Sequence, residues 1–151
     1  MAFPLPEPMR RALDEAGAAA EAGEVPVGAV VTRDGAIVAA ARNAMRGGAD
    51  PTAHAEMQVL RAAGAALGGE RLDGCDLWVT LEPCAMCAGA IALARIRRVY
   101  FAAGDPKGGA VIHGPRLFGQ PTCHHVPEVY PGIGEEQSAA LLRGFFQNRR
   151  T

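Results

Sequence analysis

Residues 75–101 read CDLWVTLEPCAMCAGAIALARIRRVYF. The first seven form a short apolar run that reads as a buried strand. Residues 85–95, AMCAGAIALAR, read as a helix, and residues 97–103, RRVYFAA, as a further strand. Strand, helix and strand in that order make a crossover unit, with the helix lying over one sheet face. Upstream, residues 25–43 read VPVGAVVTRDGAIVAAARN, where two apolar runs flank Asp34-Gly35, a strong hairpin turn signal.

The remaining segments extend this pattern. Residues 8–23 read as a first helix with Gly23 near its end. Residues 53–68 read as a second, with Met57, Leu60, Gly64 and Leu67 expected on its core side. Residues 104–120 read as a glycine-containing loop with one helical turn. Residues 123–130, CHHVPEVY, hold a fifth strand interrupted by Pro127. A last helix fits 135–149, where Glu135 and Glu136 at the start and Arg149 and Arg150 at the end suit the helix dipole. The order α-β-β-α-β-α-β-β-α indicates an α/β layer sandwich that begins with an antiparallel hairpin.

The chain has 151 residues, nearly half of them apolar, and fits one compact domain spanning residues 1–151. No apolar run reaches the roughly 20 residues that span a bilayer. MAFPLPEPMRR has no basic segment followed by an apolar stretch, so no signal peptide is expected and a cytoplasmic location is. A formal charge of −1 argues against a protein held on long duplex DNA by phosphate neutralisation. It leaves room for one that grips a short single-stranded loop.

The chemistry begins at Pro83-Cys84-Ala85-Met86-Cys87. Cys84 and Cys87, at i and i+3, put both sulfurs on one helix face. Pro83 suits the start of that helix, where its missing N–H costs nothing. The dipole and free N–H groups there stabilise thiolates, and two thiolates favour a soft cation such as zinc. Two other readings compete. A redox pair fits the spacing, although the aromatic-Cys-Gly-Pro-Cys form of that class is missing. A structural zinc site needs four protein ligands, and no second pair of ligands stands elsewhere in the chain.

Residues 50–60, DPTAHAEMQVL, settle the choice. His54 and Glu56 lie two apart at the opening of a helix, where both can reach a point beyond its end. His54 supplies a third ligand and Glu56 stays uncoordinated. Three protein ligands leave the fourth position of a tetrahedral zinc for water. The zinc makes hydroxide available near pH 7, and Glu56 moves its proton. H-x-E followed about thirty residues later by P-C-x-x-C is the signature of zinc nucleobase deaminases.

EVPVGAVV, RN, DPTAHAEMQVLR, LWVTLEPCAMCAGAIALARIRRVYF, DPKGG and AALLRGFFQNRR together resemble the bacterial tRNA-specific adenosine deaminases of the cytidine deaminase superfamily. The resemblance runs from about Glu24 to the C-terminus. It implies a three-layer α/β/α cytidine-deaminase-like sandwich around a mixed sheet of about five strands. It implies hydrolytic deamination of adenosine to inosine at the wobble position of a tRNA anticodon loop. It also implies one Zn2+ per subunit held by His54, Cys84 and Cys87, with Glu56 as proton shuttle, and a homodimer with no membrane contact. Asn43 matches an asparagine that contacts the target base, and Asp105 and Lys107 match an RNA-contacting loop. Phe145, Arg149 and Arg150 are candidates to stack on bases and pair with phosphates.

Plainer roles stand beside these. Asn43 is a good turn residue after a strand. Phe146, at i+7 from Ala139 and i+4 from Leu142, is expected in the core. Cys75 reads as a core thiol and Trp78 as packing. Arg95, Arg97 and Arg98 bracket a helix end and favour its dipole. Cys123, His124 and His125 are adjacent, so their side chains diverge, and a loop or strand edge is expected there rather than a second metal site. The stretch AVIHGPRLFGQPTCHHVPEVYPG departs from the family's commonest form, which carries Gly-Ser after the Asp-x-Lys loop. The rival function keeps the zinc chemistry and takes a free base or nucleoside of guanine or cytosine type. A third keeps the fold as a non-catalytic zinc or RNA-binding module, for which Glu56 has no use.

Overall fold

The computed structural model describes residues 4–149. Helix α1 (Glu7–Glu21) leads into the hairpin of β1 (Gly28–Arg33) and β2 (Ala36–Arg42). Then follow α2 (Ala55–Leu67), β3 (Cys75–Leu81), α3 (Ala85–Leu93) and β4 (Arg98–Ala103). A 3-10 turn at Leu117–Gly119, the short β5 (Glu128–Tyr130) and α4 (Glu135–Asn148) complete the chain. Strand order in the sheet is β2-β1-β3-β4-β5. The β1 pairings with β2 and β3 are antiparallel, and β3-β4-β5 run parallel, so the sheet is mixed.

Asp34 and Gly35 join β1 to β2 with φ of 52° and 81°, the paired positive values of a type I′ hairpin turn. Along each central strand the side chains alternate between two layers. Ala29, Val31, Leu77, Val79, Val99 and Phe101 face α2 and α3. Val30, Trp78, Tyr100 and Ala102 face α1. Helices α1 and α4 pack together on that second face. Trp78 is packing: it stacks on Tyr100 at 3.8 Å and donates from Nε1 to Thr32 Oγ1. Cys75 is a buried thiol whose pKa burial pushes up. Among the described residues no helix is long and apolar enough to cross a membrane.

Three expectations need correction. Helix α2 buries Ala55, Glu56, Val59, Leu60 and Ala63, while Leu67 is 36% exposed and Met57 and Gly64 are only partly covered. Leu60 faces the core as expected, but small side chains at 55 and 63 share that face, and Met57 and Leu67 turn away from it. Phe146 is 48% exposed. The buried residue of α4 is Ser138, whose Oγ donates to the Thr80 carbonyl at 2.5 Å, whereas the far end of the helix lies along the end of α1, beside Gly23. Arg97 and Arg98 do not serve a helix end. Arg98 starts β4 and Arg97 directly precedes it, and they pair with Glu128 and Asp76 on the neighbouring strands.

One close approach sets the distance between α1 and the sheet. The Gly28 amide donates to Thr80 Oγ1, and a Cβ on Gly28 would collide with the Ala12 carbonyl and the Ala16 amide. Backbone cannot yield there as a flexible side chain would. Gly28→Ala is therefore expected to lower stability by about 3 kcal/mol, the upper range for overpacking a close-packed interior. Denaturant unfolding measures this, and a midpoint equal to that of the parent chain would refute the contact.

Candidate active site

Strands β3 and β4 end side by side, with Leu81 opposite Ala103, and α3 starts three residues beyond β3. In parallel α/β sheets ligands gather at this carboxyl edge. Cys84 is the N-cap residue of α3 and His54 that of α2. Both have extended backbone, and neither side chain makes a capping hydrogen bond. Ser, Thr, Asp or Asn would normally fill such positions and bond back to the helix. Here both side chains point instead toward a shared centre, and Cys87 joins them from the first turn of α3.

His54 Nδ1 lies 3.6 Å from Cys84 Sγ and 3.5 Å from Cys87 Sγ, and the three donor atoms fall within 4.8 Å of one another. A tetrahedral zinc with Zn–S near 2.3 Å and Zn–N near 2.05 Å requires an N···S separation of about 3.6 Å. The residues present therefore fit the ion. The thiols divide their roles before any metal binds. A hydrogen bond from Cys87, against the opposing effect of burial, brings Cys84 down to about 5. Cys87, as donor in that bond and buried, is held well above the usual thiol range.

Glu56 sits in the first turn of α2 and is 4% exposed, outside the three-donor set. Burial pushes its carboxyl up to about 7, with the nearby Cys84 adding to the rise and its own amide opposing it. Such a group exchanges a proton readily at neutral pH. Asn43 lies against both elements. Its Nδ2 donates to the Val25 carbonyl at 3.1 Å, and its Oδ1 accepts the Ala55 amide at 2.8 Å. Asn43 thus caps α2 from another segment, replacing the cap that His54 does not make.

The site opens into a cavity of about 280 Å³, lined among others by Val27, Asn43, Met45, Glu56, Glu82 and Asp105. That volume is near the low end for small-ligand sites, about 300–1,000 Å³. It suits one extruded base rather than a folded nucleic-acid segment. Asp105 Oδ1 accepts the amides of Lys107 and Gly108, which closes a tight turn at the rim. A second cavity adjoins the first through Val25, Leu81, Asp105 and Gly108, and includes Lys107, Leu142 and Phe146.

The structure brings His54, Glu56, Cys84, Cys87, Asn43 and Asp105 together, with Lys107 next door. It places Phe145 and Arg149 elsewhere. Arg149 donates to the Gly23 carbonyl at 2.6 Å and lies 4.4 Å over the Phe145 ring, at the junction of α1 and α4. Arg150 lies outside the described residues. Cys123 donates to the His125 carbonyl, and His125 Nε2 bonds the Ile96 carbonyl, so these residues belong to a loop. Sequence reasoning missed Phe146 and Glu82 as cavity residues. An acidic residue directly before Pro83 at a strand end was the available signal for Glu82.

Beyond the metal-binding geometry, most of the chain aligns with deaminases. The family model for MafB19-like deaminases matches residues 6–150, and the chain belongs to this deaminase family. Within it, the chain is 58% identical to the tRNA-specific adenosine deaminase of Agrobacterium fabrum, over 94% of this chain and 93% of that one. A solved structure from a study of A-to-I editing by tRNA:A34 deaminases superposes with a TM-score of 0.88 at 58% identity, covering 89% of this chain and 98% of that one. The guanine deaminase of Nitrosomonas europaea superposes at 0.80 with 27% identity, covering 96% of this chain and 85% of that one.

Asn43→Ala would leave the buried Ala55 amide and the Val25 carbonyl without their partner. Leaving such groups unpaired is expected to cost about 2 kcal/mol. Urea unfolding reads the loss, and a change under about 0.5 kcal/mol, the lowest worth of one hydrogen bond, would show that the cap is unimportant.

Proposed function

We propose that this protein, acting as one domain over its whole length, deaminates adenosine to inosine at the wobble position of a tRNA anticodon loop. The observation that carries the reading is a buried carboxyl, Glu56, that stands outside a three-donor centre and lines a base-sized cavity. Similarity to tRNA-specific adenosine deaminases over nearly the full length of both chains supports RNA as the substrate class. His54 Nδ1, Cys84 Sγ and Cys87 Sγ would hold one zinc ion. When bound, zinc supplies hydroxide at neutral pH.

The chain's own groups do the remaining work. The cavity encloses one base, with Val25 and Val27 on its walls. Asn43 has one N–H and one lone pair left to orient the base after its two internal bonds. Glu56 would take one proton of the attacking water and pass it to the ring nitrogen beside the reacting carbon, then take the proton of the newly added hydroxyl and deliver it to the amine, which leaves as ammonia as the carbonyl forms. The balance is adenosine plus water giving inosine plus ammonia. Lys107 and Phe146 line the adjoining cavity, where the first would meet a phosphate and the second stack on a neighbouring base.

A second copy of the chain is part of the proposal. Helix α3, AMCAGAIAL, has no charged residue on any side, and a helix apolar all round is one that is covered all round. Leu93 is 82% exposed and Met86 36%. Beside Leu93 runs a groove between α2 and α3 that includes Met57, Leu60, Gly64 and Ala90. Leu93→Asp is expected to halve the mass seen in sedimentation equilibrium. A parent chain that sediments as a monomer would remove the second copy from the proposal.

Zinc-loaded protein incubated with an arginine-tRNA anticodon stem-loop is expected to form inosine. Absence of inosine together with ammonia release from guanine or cytosine would instead select the free-base reading, which the likeness to guanine deaminase favours. In Glu56→Ala, turnover is expected to fall about 10²–10⁴-fold, the usual contribution of general acid–base catalysis, while zinc content stays unchanged. Unaltered turnover would overturn the shuttle role.

A further inference from the structure

Glu82 is buried to 2% exposure at the end of β3, two residues before Cys84, and it belongs neither to the metal set nor to the proton path. Every hydrogen bond of its side chain is with one loop. Its Oε1 accepts the Asp105 amide at 2.9 Å and His113 Nδ1 at 2.6 Å. Its Oε2 accepts the amides of Val111, Ile112 and His113 at 3.0, 2.9 and 3.0 Å. Four of these five partners are main-chain N–H groups, which only donate, so the carboxyl group meets them as an acceptor.

The loop is shaped around that carboxylate. A Cβ at Gly109 would collide with the Glu82 carboxyl group and the Asp105 carbonyl. The adjoining Pro83 carbonyl accepts the Ala110 amide at 2.9 Å. Residues 105–113 thus hang from the same Glu82-Pro83 step that delivers Cys84. The anchored loop carries Asp105, Lys107 and Gly108, which border the reaction cavity and its neighbour. Nothing else in the described structure gives the isolated amides at 111, 112 and 113 a partner.

We propose that Glu82 is a positioning residue of the deamination, building residues 105–113 into the substrate wall of the cavity without touching metal or proton. The proposal rests on the RNA substrate reading above. It separates two functions of one turn: Cys84 serves the chemistry, and Glu82 serves the fit of the substrate. Losing it loosens the wall and weakens substrate binding while the metal centre stays intact.

Glu82→Gln puts an N–H donor among N–H donors and is the direct test. With the stem-loop as substrate, KM is expected to rise about ten- to a hundredfold, the worth of losing charge-assisted hydrogen bonds. The value of kcat at saturation and the zinc content are expected to stay close to those of the parent. His113→Ala, which removes a single bond from a partly exposed ring, is expected to move KM the same way by a smaller factor and keeps the test open if Glu82→Gln does not fold. Hydrogen exchange gives a substrate-free reading: the amides of Val111, Ile112 and His113 are expected to exchange slowly in the parent and quickly in Glu82→Gln. An active parent with unchanged KM in both variants, or unchanged exchange at those amides, overturns the proposal. A parent that forms no inosine counts against the substrate reading instead, and exchange still decides the role of Glu82.

Discussion

Two helices begin at the same point in space, and neither is capped by its own first residue. That constraint shapes the rest of the molecule. A metal centre needs donors from segments thirty residues apart, and helix starts offer exposed amides and a favourable dipole for anionic sulfur. His54 and Cys84 occupy the two N-cap positions and turn their side chains away from capping. The sheet makes the meeting possible. Parallel pairing of β3 and β4 sends α3 back across one face, and the antiparallel hairpin brings Asn43 to the start of α2. Asn43 then repairs the cap that His54 gave up.

The alanine-rich composition becomes intelligible in these terms. Helix α2 meets the hairpin through Ala55, Val59 and Ala63, and α1 meets β1 at Ala12, Ala16 and Gly28. Short side chains bring the helix axes close to the strands, which keeps the metal donors within a few ångströms of each other. Bulk is left over on the outer sides of α2 and α3. Residues such as Met57 and Leu93, which a helical-wheel argument would send inward, stand at the surface of that layer.

Much of this was legible in the amino-acid sequence. Asp34-Gly35 specified its turn, the apolar run at 75–81 is β3 to the residue, and the spacing of His54, Cys84 and Cys87 anticipated that their donor atoms meet. What stayed hidden shares a cause. The core face of α2 depends on how closely small residues allow approach, and periodicity alone does not encode that distance. The exposure of Phe146 follows from which part of α4 meets the sheet. Apart from the His113 ring, the partners of Glu82 and Asn43 are main-chain groups twelve to thirty-one residues away, and main-chain groups leave no signature in the letters. The departure of 110–115 from the family's Gly-Ser form looked like a loss of pattern. In the folded chain it supplies Ile112 and His113 to the Glu82 anchor.

The borders of the sheet have a consequence for how molecules of this kind meet. One border strand, β2, pairs with β1 through a shifted register between Val31 and Thr32, and the other, β5, is three residues long. A kinked or very short outer strand is a poor template for another chain's backbone. Growth by strand addition is thereby discouraged at both margins. Apolar surface that lies open is found instead on a helix, at Leu93 and Met86 of α3, where side chains rather than backbone face outward.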